Sequence, residues 1–168
     1  MKHYAPPSPR SGTPPLKLPP FHPVQVRPRH DGWTPQRQAE FIGHLAQTRS
    51  VAAAAKAVSM ARESAYRLRE RPGAQGFAAV WDMALARRGA AAEWGRYLEA
   101  RERALAALLP SRNVTLGELG WRVRSGKWQV ILRAGRFAGV RQLADNDALL
   151  VLVRRMDAIE ARLRSEKP

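Results

Sequence analysis

The chain is most constrained by a short alanine-rich segment followed by a basic one, which together span residues 50–71 and read SVAAAAKAVSMARESAYRLRER. Small residues at helical spacing let two helices cross closely, and larger apolar residues must face a supporting helix. The pattern predicts a helix, a tight corner at Ser59 and a second helix. The inward positions are Ala54, Ala55, Val58, Met60, Ala65 and Leu68. The segment therefore predicts a helix-turn-helix unit.

The second helix of this motif has a charged outward face. With Ala65 and Leu68 turned toward the core at about 100° per residue, charged side chains and one tyrosine occupy the opposite side. In a DNA-binding helix-turn-helix this helix enters the major groove. The predicted base-reading residues are Arg62, Glu63, Tyr66 and Arg67. The predicted contacts to the DNA backbone are Ser50, Lys56, Arg69 and Arg71, together with Arg27 and Arg29 from the preceding segment. A plain αα-hairpin, whose arginines form a solvated face, is the alternative.

Residues 30–85, from HDGWTPQRQ to FAAVWDMAL, resemble helix-turn-helix proteins of alphaproteobacteria, especially of sphingomonads. Residues 133–157 resemble the same family, in which a glycine-cornered hairpin leads into a terminal helix; the matching positions are Gly135, Gly139, Asp145 and Asn146. The family has Gly at the corner and Ser as the cap of the second helix, where this chain has Ser59 and Ala61. Either loss costs about 1 kcal/mol and leaves the corner less rigid.

The resemblance implies a homeodomain-like unit that binds double-stranded DNA, and it extends more distantly to the DNA-binding head of phage small terminase subunits. Two functions follow as expectations. The first is a transcription regulator that binds as a homodimer. The second is a component of a DNA-packaging assembly, which would form a higher homo-oligomer.

Composition favours the same partner. The formal net charge is +15 at pH 7, and basic residues gain affinity for phosphates by releasing counterions. Attachment to a membrane surface would require a lipid anchor or a strongly amphipathic basic helix, and no apolar run approaches the roughly 20 residues that span a bilayer. We expect a cytoplasmic, nucleoid-associated protein without membrane contact.

Patterns of catalytic residues are missing from the sequence. There is no cysteine, and the four histidines lack ligand spacing, so neither thiolate chemistry nor a zinc site is predicted. No nucleophile with a base, carboxylate dyad or phosphate-binding glycine loop can be assembled. We therefore expect no enzymatic activity, no cofactor and no metal.

The N-terminal 32 residues predict a disordered arm. Ten of the thirteen prolines lie at or before Pro35, interleaved with basic residues, and such a segment forms neither helix nor central strand. The RPRH run at 27–30 resembles basic arms that enter a minor groove beside a homeodomain-like unit. A flexible basic leader without specific contacts is the alternative.

The remaining chain predicts a mainly α protein in three further parts. Residues 33–88 form the helix-turn-helix domain, whose first helix starts at Pro35 with Thr34 as cap. Residues 89–110 form a connecting helix, either continuous with the preceding one or separated from it by a kink at Gly89. Residues 111–168 form a hairpin and a terminal helix that could serve as an oligomerisation module.

The C-terminal part combines strand and helix signals. Two or three short strands are predicted within 121–143, with corners at 125–126 and 134–135. Asp145 is the predicted cap of the last helix, whose apolar residues recur three and four positions apart: Leu149, Leu152, Met156, Ile159 and Leu163. This stripe either docks on the hairpin or pairs with a second subunit.

Overall fold

The computed structural model describes residues 17–86 and 91–166. This part of the chain is mainly helical, with seven helices and one two-stranded antiparallel sheet. The predicted fold class is therefore confirmed. A large core joins the N-terminal segment, the first five helices and the hairpin, and a small second cluster joins the last two helices.

The three helices of the predicted helix-turn-helix unit are α1 (Pro35–Thr48), α2 (Val51–Ala57) and α3 (Arg62–Arg69). As predicted, the Thr34 hydroxyl accepts the N–H of Arg37 at 3.2 Å, which caps α1. The inward positions of α2 and α3 are buried, apart from Met60, which is partly buried against the same core. The helix pair thus packs through the small residues that the sequence indicated.

The corner between α2 and α3 carries the two departures from the resembled family. Ser59 has a positive φ of 57°, which is the left-handed conformation that glycine adopts most readily. Ala61 lies at the N-cap of α3 and supplies no side-chain hydrogen bond. Both positions therefore lack the residue type that stabilises such a corner.

Two antiparallel helices follow, α4 (Gln75–Leu85) and α5 (Ala91–Ala106). Their direction is shown by contacts at both ends: Asp82 near the end of α4 binds Arg103, and Gly76 at its start lies against Ala107. α4 ends because Ala86 takes an extended conformation, with ψ of 125°. The predicted kink at Gly89 lies outside the described residues.

The prediction of a solvated arm over residues 1–32 is wrong for its second half. Leu18, Phe21 and Val24 are each at most 3% exposed and belong to the large core. Residues 1–16 lie outside the described part of the chain. The segment from 17 onward is therefore part of the folded domain.

The buried segment satisfies its backbone without a regular sheet. Phe21 exchanges two backbone hydrogen bonds with Trp128, at 2.9 and 2.8 Å. The buried Gln38 of α1 accepts from the N–H of Val24 at 2.7 Å and donates to its carbonyl at 3.0 Å. Because an unpaired buried backbone group is costly, these partners allow a proline-rich strand to lie inside.

A second prediction fails at Trp121–Gly126, where we expected a strand and a corner. The structure has α6 (Leu116–Ser125), which starts at the capping residue Thr115. Gly126, with φ of 66°, ends this helix instead of turning a hairpin. Trp121 and Val123 are partly buried within α6, so their β-type side chains were misleading.

The hairpin consists of β1 (Lys127–Arg133) and β2 (Arg136–Leu143), so the lower of the two predicted strand counts is confirmed. Its predicted corner at Ala134–Gly135 is also confirmed, and both residues have positive φ, as a type I′ turn requires. The register shifts between Ile131 and Leu132. The hairpin thus comprises two strands joined by a tight turn and interrupted by one irregularity.

We had expected the hairpin to form a C-terminal module with the last helix. Instead, the hairpin packs on α1. The Phe137 ring covers Gly43 so closely that a β-carbon there would collide with it, and the Phe137 N–H donates to the side chain of Gln47 at 2.8 Å. Val130 of β1 is buried in the large core. The boundary near residue 111 therefore does not separate the hairpin from the helix-turn-helix unit.

The last helix, α7 (Asn146–Ser165), docks on α6 rather than on the hairpin. Its predicted cap is confirmed, since Asp145 accepts the N–H of Ala148 at 3.2 Å. Most of its apolar stripe remains uncovered within the monomer. The exposed members are Leu149, Leu150, Val153, Met156, Ile159 and Leu163.

Candidate nucleic-acid interface

The outward face of α3 begins with a charged pair. The side chains of Arg62 and Glu63 are 59% and 62% exposed and form an ion pair at 3.2 Å. Exposed pairs of this kind contribute little to stability, so either side chain can exchange its partner for a ligand. This end of α3 is open to solvent.

The Glu63 carboxylate is stabilised in its charged form. Its pKa lies below the ordinary value because the backbone N–H of Glu63 itself and the Arg62 side chain donate to it, with a further contribution from the charge of Arg67. An ionised glutamate can accept from a base amino group but repels phosphate. Glu63 therefore presents a charged hydrogen-bond acceptor at this end of α3.

The side of α3 that faces α4 carries Tyr66 and Arg69. The Tyr66 ring is 42% exposed and packs 5.5 Å from Trp81. Arg69 donates to Asp82 at 2.5 Å and lies over the Trp81 ring. The same Asp82 carboxylate also binds Arg103. The Arg69 guanidinium thus links α3 to α4.

The opposite side of α3 borders a cleft of about 510 Å³ between α3 and the segment before α1. Its cationic residues are Arg29, Arg67 and Arg71, and its walls are Trp33, Ser64 and Leu68. The indole N–H of Trp33 donates to the Ser64 hydroxyl at 3.2 Å, and that hydroxyl donates to the Ala61 carbonyl at 2.6 Å. The wall groups are therefore already satisfied and rigidly placed.

The remaining predicted residues lie outside this cleft. Ser50 uses its hydroxyl to cap α2, accepting from the N–H of Ala53 at 3.2 Å. Lys56 is exposed in the last turn of α2, and Arg27 is exposed before α1. The structure thus brings together three of the ten predicted DNA-binding residues in one cleft and leaves the others on neighbouring surfaces.

Sequence reasoning missed the cleft walls and the partner of Arg69. The helical spacing predicted Arg67 on the outward face of α3 and Arg71 on its flank, but no local signal relates Trp33 or Arg29 to either residue. Asp82 lies 13 residues after Arg69, on another helix. Both relations depend on how α4 and the N-terminal segment pack against α3.

Other kinds of site find no support in the described part of the chain. Residues 17–86 and 91–166 contain no group of acidic or histidine side chains arranged to hold a metal ion. Within the same residues, no helix has the length and apolar character needed to cross a bilayer. The arginine-rich surface of α3 is the feature with the clearest chemistry.

Comparison with known proteins found no matching family model, no matching curated protein and no matching solved structure. The resemblance to alphaproteobacterial helix-turn-helix proteins therefore remains a prediction.

Proposed function

We propose that this protein binds double-stranded DNA through α3 and acts as a transcription regulator. One observation carries the proposal. The second helix of a bihelical unit presents an exposed face whose cations and polar groups are not needed for the core, while its opposite face is fully packed. The formal net charge of +15 supports a polyanionic partner.

The residues of α3 divide into roles by their surroundings. Arg62, Glu63 and Tyr66 would read base edges; arginine pairs with guanine and glutamate accepts from the cytosine amino group. Lys56 of α2 and the arginines that flank α3, namely Arg27, Arg29 and Arg71, would contact phosphates. These contacts would set the position of α3 on the duplex. Arg69 is left out of the interface because its guanidinium already binds Asp82.

The test is duplex-DNA binding as a function of salt concentration, measured by fluorescence anisotropy with a fluorescein-labelled random-sequence duplex. Each phosphate contact contributes about 0.9 to the slope of log affinity against log salt, so we expect tight binding at low salt and a slope of magnitude about 4 or more. A slope near zero, or no binding at low salt, contradicts the proposal.

A DNA-packaging role within a larger assembly is the second candidate. It is favoured by exposed apolar stripes on two different helices, α5 and α7. On α5 the exposed residues include Trp94, Leu98 and Leu105. Two different faces that meet head to tail generate rings or filaments, whereas one self-complementary face generates a dimer. We propose a homodimer for the regulator and a ring for the packaging component.

A further inference from the structure

The arginines of α3 differ in whether the protein neutralises them. Arg62 pairs with Glu63, and Arg69 pairs with Asp82. Among the described residues, no carboxylate forms an ion pair with Arg67 or Arg71, and the same holds for Arg29. Three cations without an ion-pair partner therefore lie near one another: Arg67 within α3, Arg71 just beyond its end, and Arg29 in the segment before α1.

These three cations come from two parts of the chain but border the same cleft. Arg67 and Arg71 stand one turn apart at the end of α3, and Arg29 approaches from the segment that precedes α1. Like charges that share a cleft repel one another more strongly than dispersed surface charges do. An anion bound among them would remove this repulsion and gain several charge-assisted hydrogen bonds.

We infer that Arg29, Arg67 and Arg71 together bind one phosphate group, with Trp33 and Ser64 as the fixed wall of the site. The guanidinium group suits this ligand because its planar N–H donors match two phosphate oxygens at once. The sequence predicted Arg67 as a base-reading residue, and we reassign it to a phosphate contact. Base reading then falls to Arg62, Glu63 and Tyr66.

The ligand is assigned as a phosphate of the DNA backbone, an assignment that rests on the proposed function. The cleft adjoins the face of α3 that would enter the major groove, so a duplex docked there brings its backbone to the flanks of the helix. A free phosphorylated small molecule has the same chemistry and is the alternative source.

The first experiment compares Arg29→Ala, Arg67→Ala and Arg71→Ala on a selected DNA site and on scrambled DNA of equal length. Each variant should lose affinity about tenfold, equally on both duplexes, and lower the salt slope by about 0.9. Arg71→Lys keeps the charge but not the paired donors and should lose less. Arg154→Ala removes one exposed charge from α7 and is the matched control. A loss by Arg67→Ala confined to the selected site overturns the inference.

A scan of the duplex with single neutral methylphosphonates locates the phosphate. The wild type should lose affinity at one backbone position in each bound site, and Arg71→Ala should lose less at that position, because one of the three arginine contacts to the phosphate is already gone. Full additivity at every position overturns the assignment to DNA. Thermal unfolding of each variant should match the wild type, since none of the three arginines belongs to the core.

A second arm uses inorganic phosphate and pyrophosphate, measured by calorimetry on the wild type and on the triple alanine variant of the three arginines. If the wild type fails to bind DNA, the proposed function is wrong. The calorimetry then tests only whether the cleft binds phosphate. Binding that the triple variant loses supports a phosphate site for a free phosphorylated molecule. No DNA binding and no phosphate binding by the wild type overturn the inference.

Discussion

Ser59 shows the cost of a single residue at a position that needs a left-handed backbone. Its φ of 57° carries the α2–α3 corner, and its side chain is exposed. Residues with a β-carbon adopt this conformation at a cost of about 1–2 kcal/mol relative to glycine. The corner is therefore a place where the native sequence is not at its stability optimum.

We predict that Ser59→Gly stabilises the protein by about 0.5–1 kcal/mol, because relief of the left-handed strain outweighs the added freedom of the unfolded chain. Chemical denaturation measures the change. Ser165→Gly, at an exposed end of α7 with ordinary helical geometry, should give no gain. Destabilisation by Ser59→Gly would show that the hydroxyl has a role that outweighs the backbone strain.

Asp145 is a second residue whose side chain makes a large contribution to the fold. It is 2% exposed, accepts from His22 at 2.5 Å and from the N–H of Ala148, and lies 3.5 Å from the Lys127 ammonium. Burial by itself would raise the pKa of Asp145, but the donors from His22 and Ala148 and the charges of His22 and Lys127 outweigh it and leave the pKa below the ordinary value. The charged carboxylate thus joins the N-terminal segment, β1 and α7.

The lowered pKa sets the direction of a pH dependence. A group whose folded-state pKa is depressed stabilises the protein above its unfolded pKa of 3.8, and this contribution disappears as pH falls through the folded value. We predict that Asp145→Asn, which retains a capping oxygen, lowers the free energy of unfolding at pH 7 by about 2–4 kcal/mol and flattens the loss of stability below pH 4. Urea denaturation across pH measures both effects.

Asp147→Asn is the matched control for this prediction. Asp147 lies two residues further along the same helix and also approaches Lys127, but its side chain is 57% exposed. It should change stability by less than about 0.5 kcal/mol. Equal effects of the two variants would contradict a special role for the buried carboxylate.

At the scale of elements, the segment before α1 behaves as a structural strand that lacks a sheet. Three of its buried side chains, Leu18, Phe21 and Val24, lie three residues apart, and His22 and Pro23 between them are buried as well. An extended proline-rich chain has about three residues per turn, so this spacing places all three on one face. The pattern was present in the sequence, but the composition alone suggested a solvated arm.

We predict that deletion of residues 1–28 strongly destabilises the protein, whereas removal of a disordered arm would leave the folded domains intact. Phe21→Ala alone should cost about 3–5 kcal/mol, the usual range for a buried phenylalanine. Gln25→Ala, an exposed position in the same segment, should cost less than about 0.5 kcal/mol. The melting temperatures of the three variants measure these differences. An unchanged melting temperature for the deletion would contradict the burial of this segment in the core.

At the scale of the whole molecule, the uncovered apolar stripe of α7 is the basis for a predicted partner. Its residues, among them Met156 at 58% exposure, remain exposed, whereas Ala148, Val151 and Leu152 of the same helix pack in the cluster shared with α6. Contiguous apolar surface on a monomer marks an interaction site. Four of the exposed residues, Leu149, Met156, Ile159 and Leu163, belong to the heptad pattern of the sequence, so a second copy of the chain is the partner we propose.

We predict that the protein is a homo-oligomer and that Met156→Glu weakens its assembly at least tenfold without loss of helix content. Ala158→Glu adds the same charge on the opposite side of α7 and is the control. Sedimentation velocity over a range of concentrations measures the mass. A dimer agrees with the regulator, a ring agrees with the packaging component, and a monomer at all concentrations contradicts both.

Local signals sufficed for the helix-turn-helix unit, the hairpin turn and the caps of α1 and α7. Each depends on residues close together in the chain: small residues at helical spacing, a glycine at a tight turn, or a hydroxyl or carboxylate three residues before a free amide. The exposed face of α3 followed from the same periodicity. These features were therefore determined by the sequence itself.

Tertiary packing decided the rest, because the relevant partners are far apart in sequence. The buried N-terminal segment depends on Gln38 and Trp128, which satisfy its backbone, and Trp121 lies in a helix although its side-chain type favours a strand. The basic cleft exists because folding carries Arg29 to the side of Arg67 and Arg71, whereas Asp82 neutralises Arg69 on the other side. Periodicity predicts which face of a helix is charged, but only the folded chain determines which charges remain without a partner.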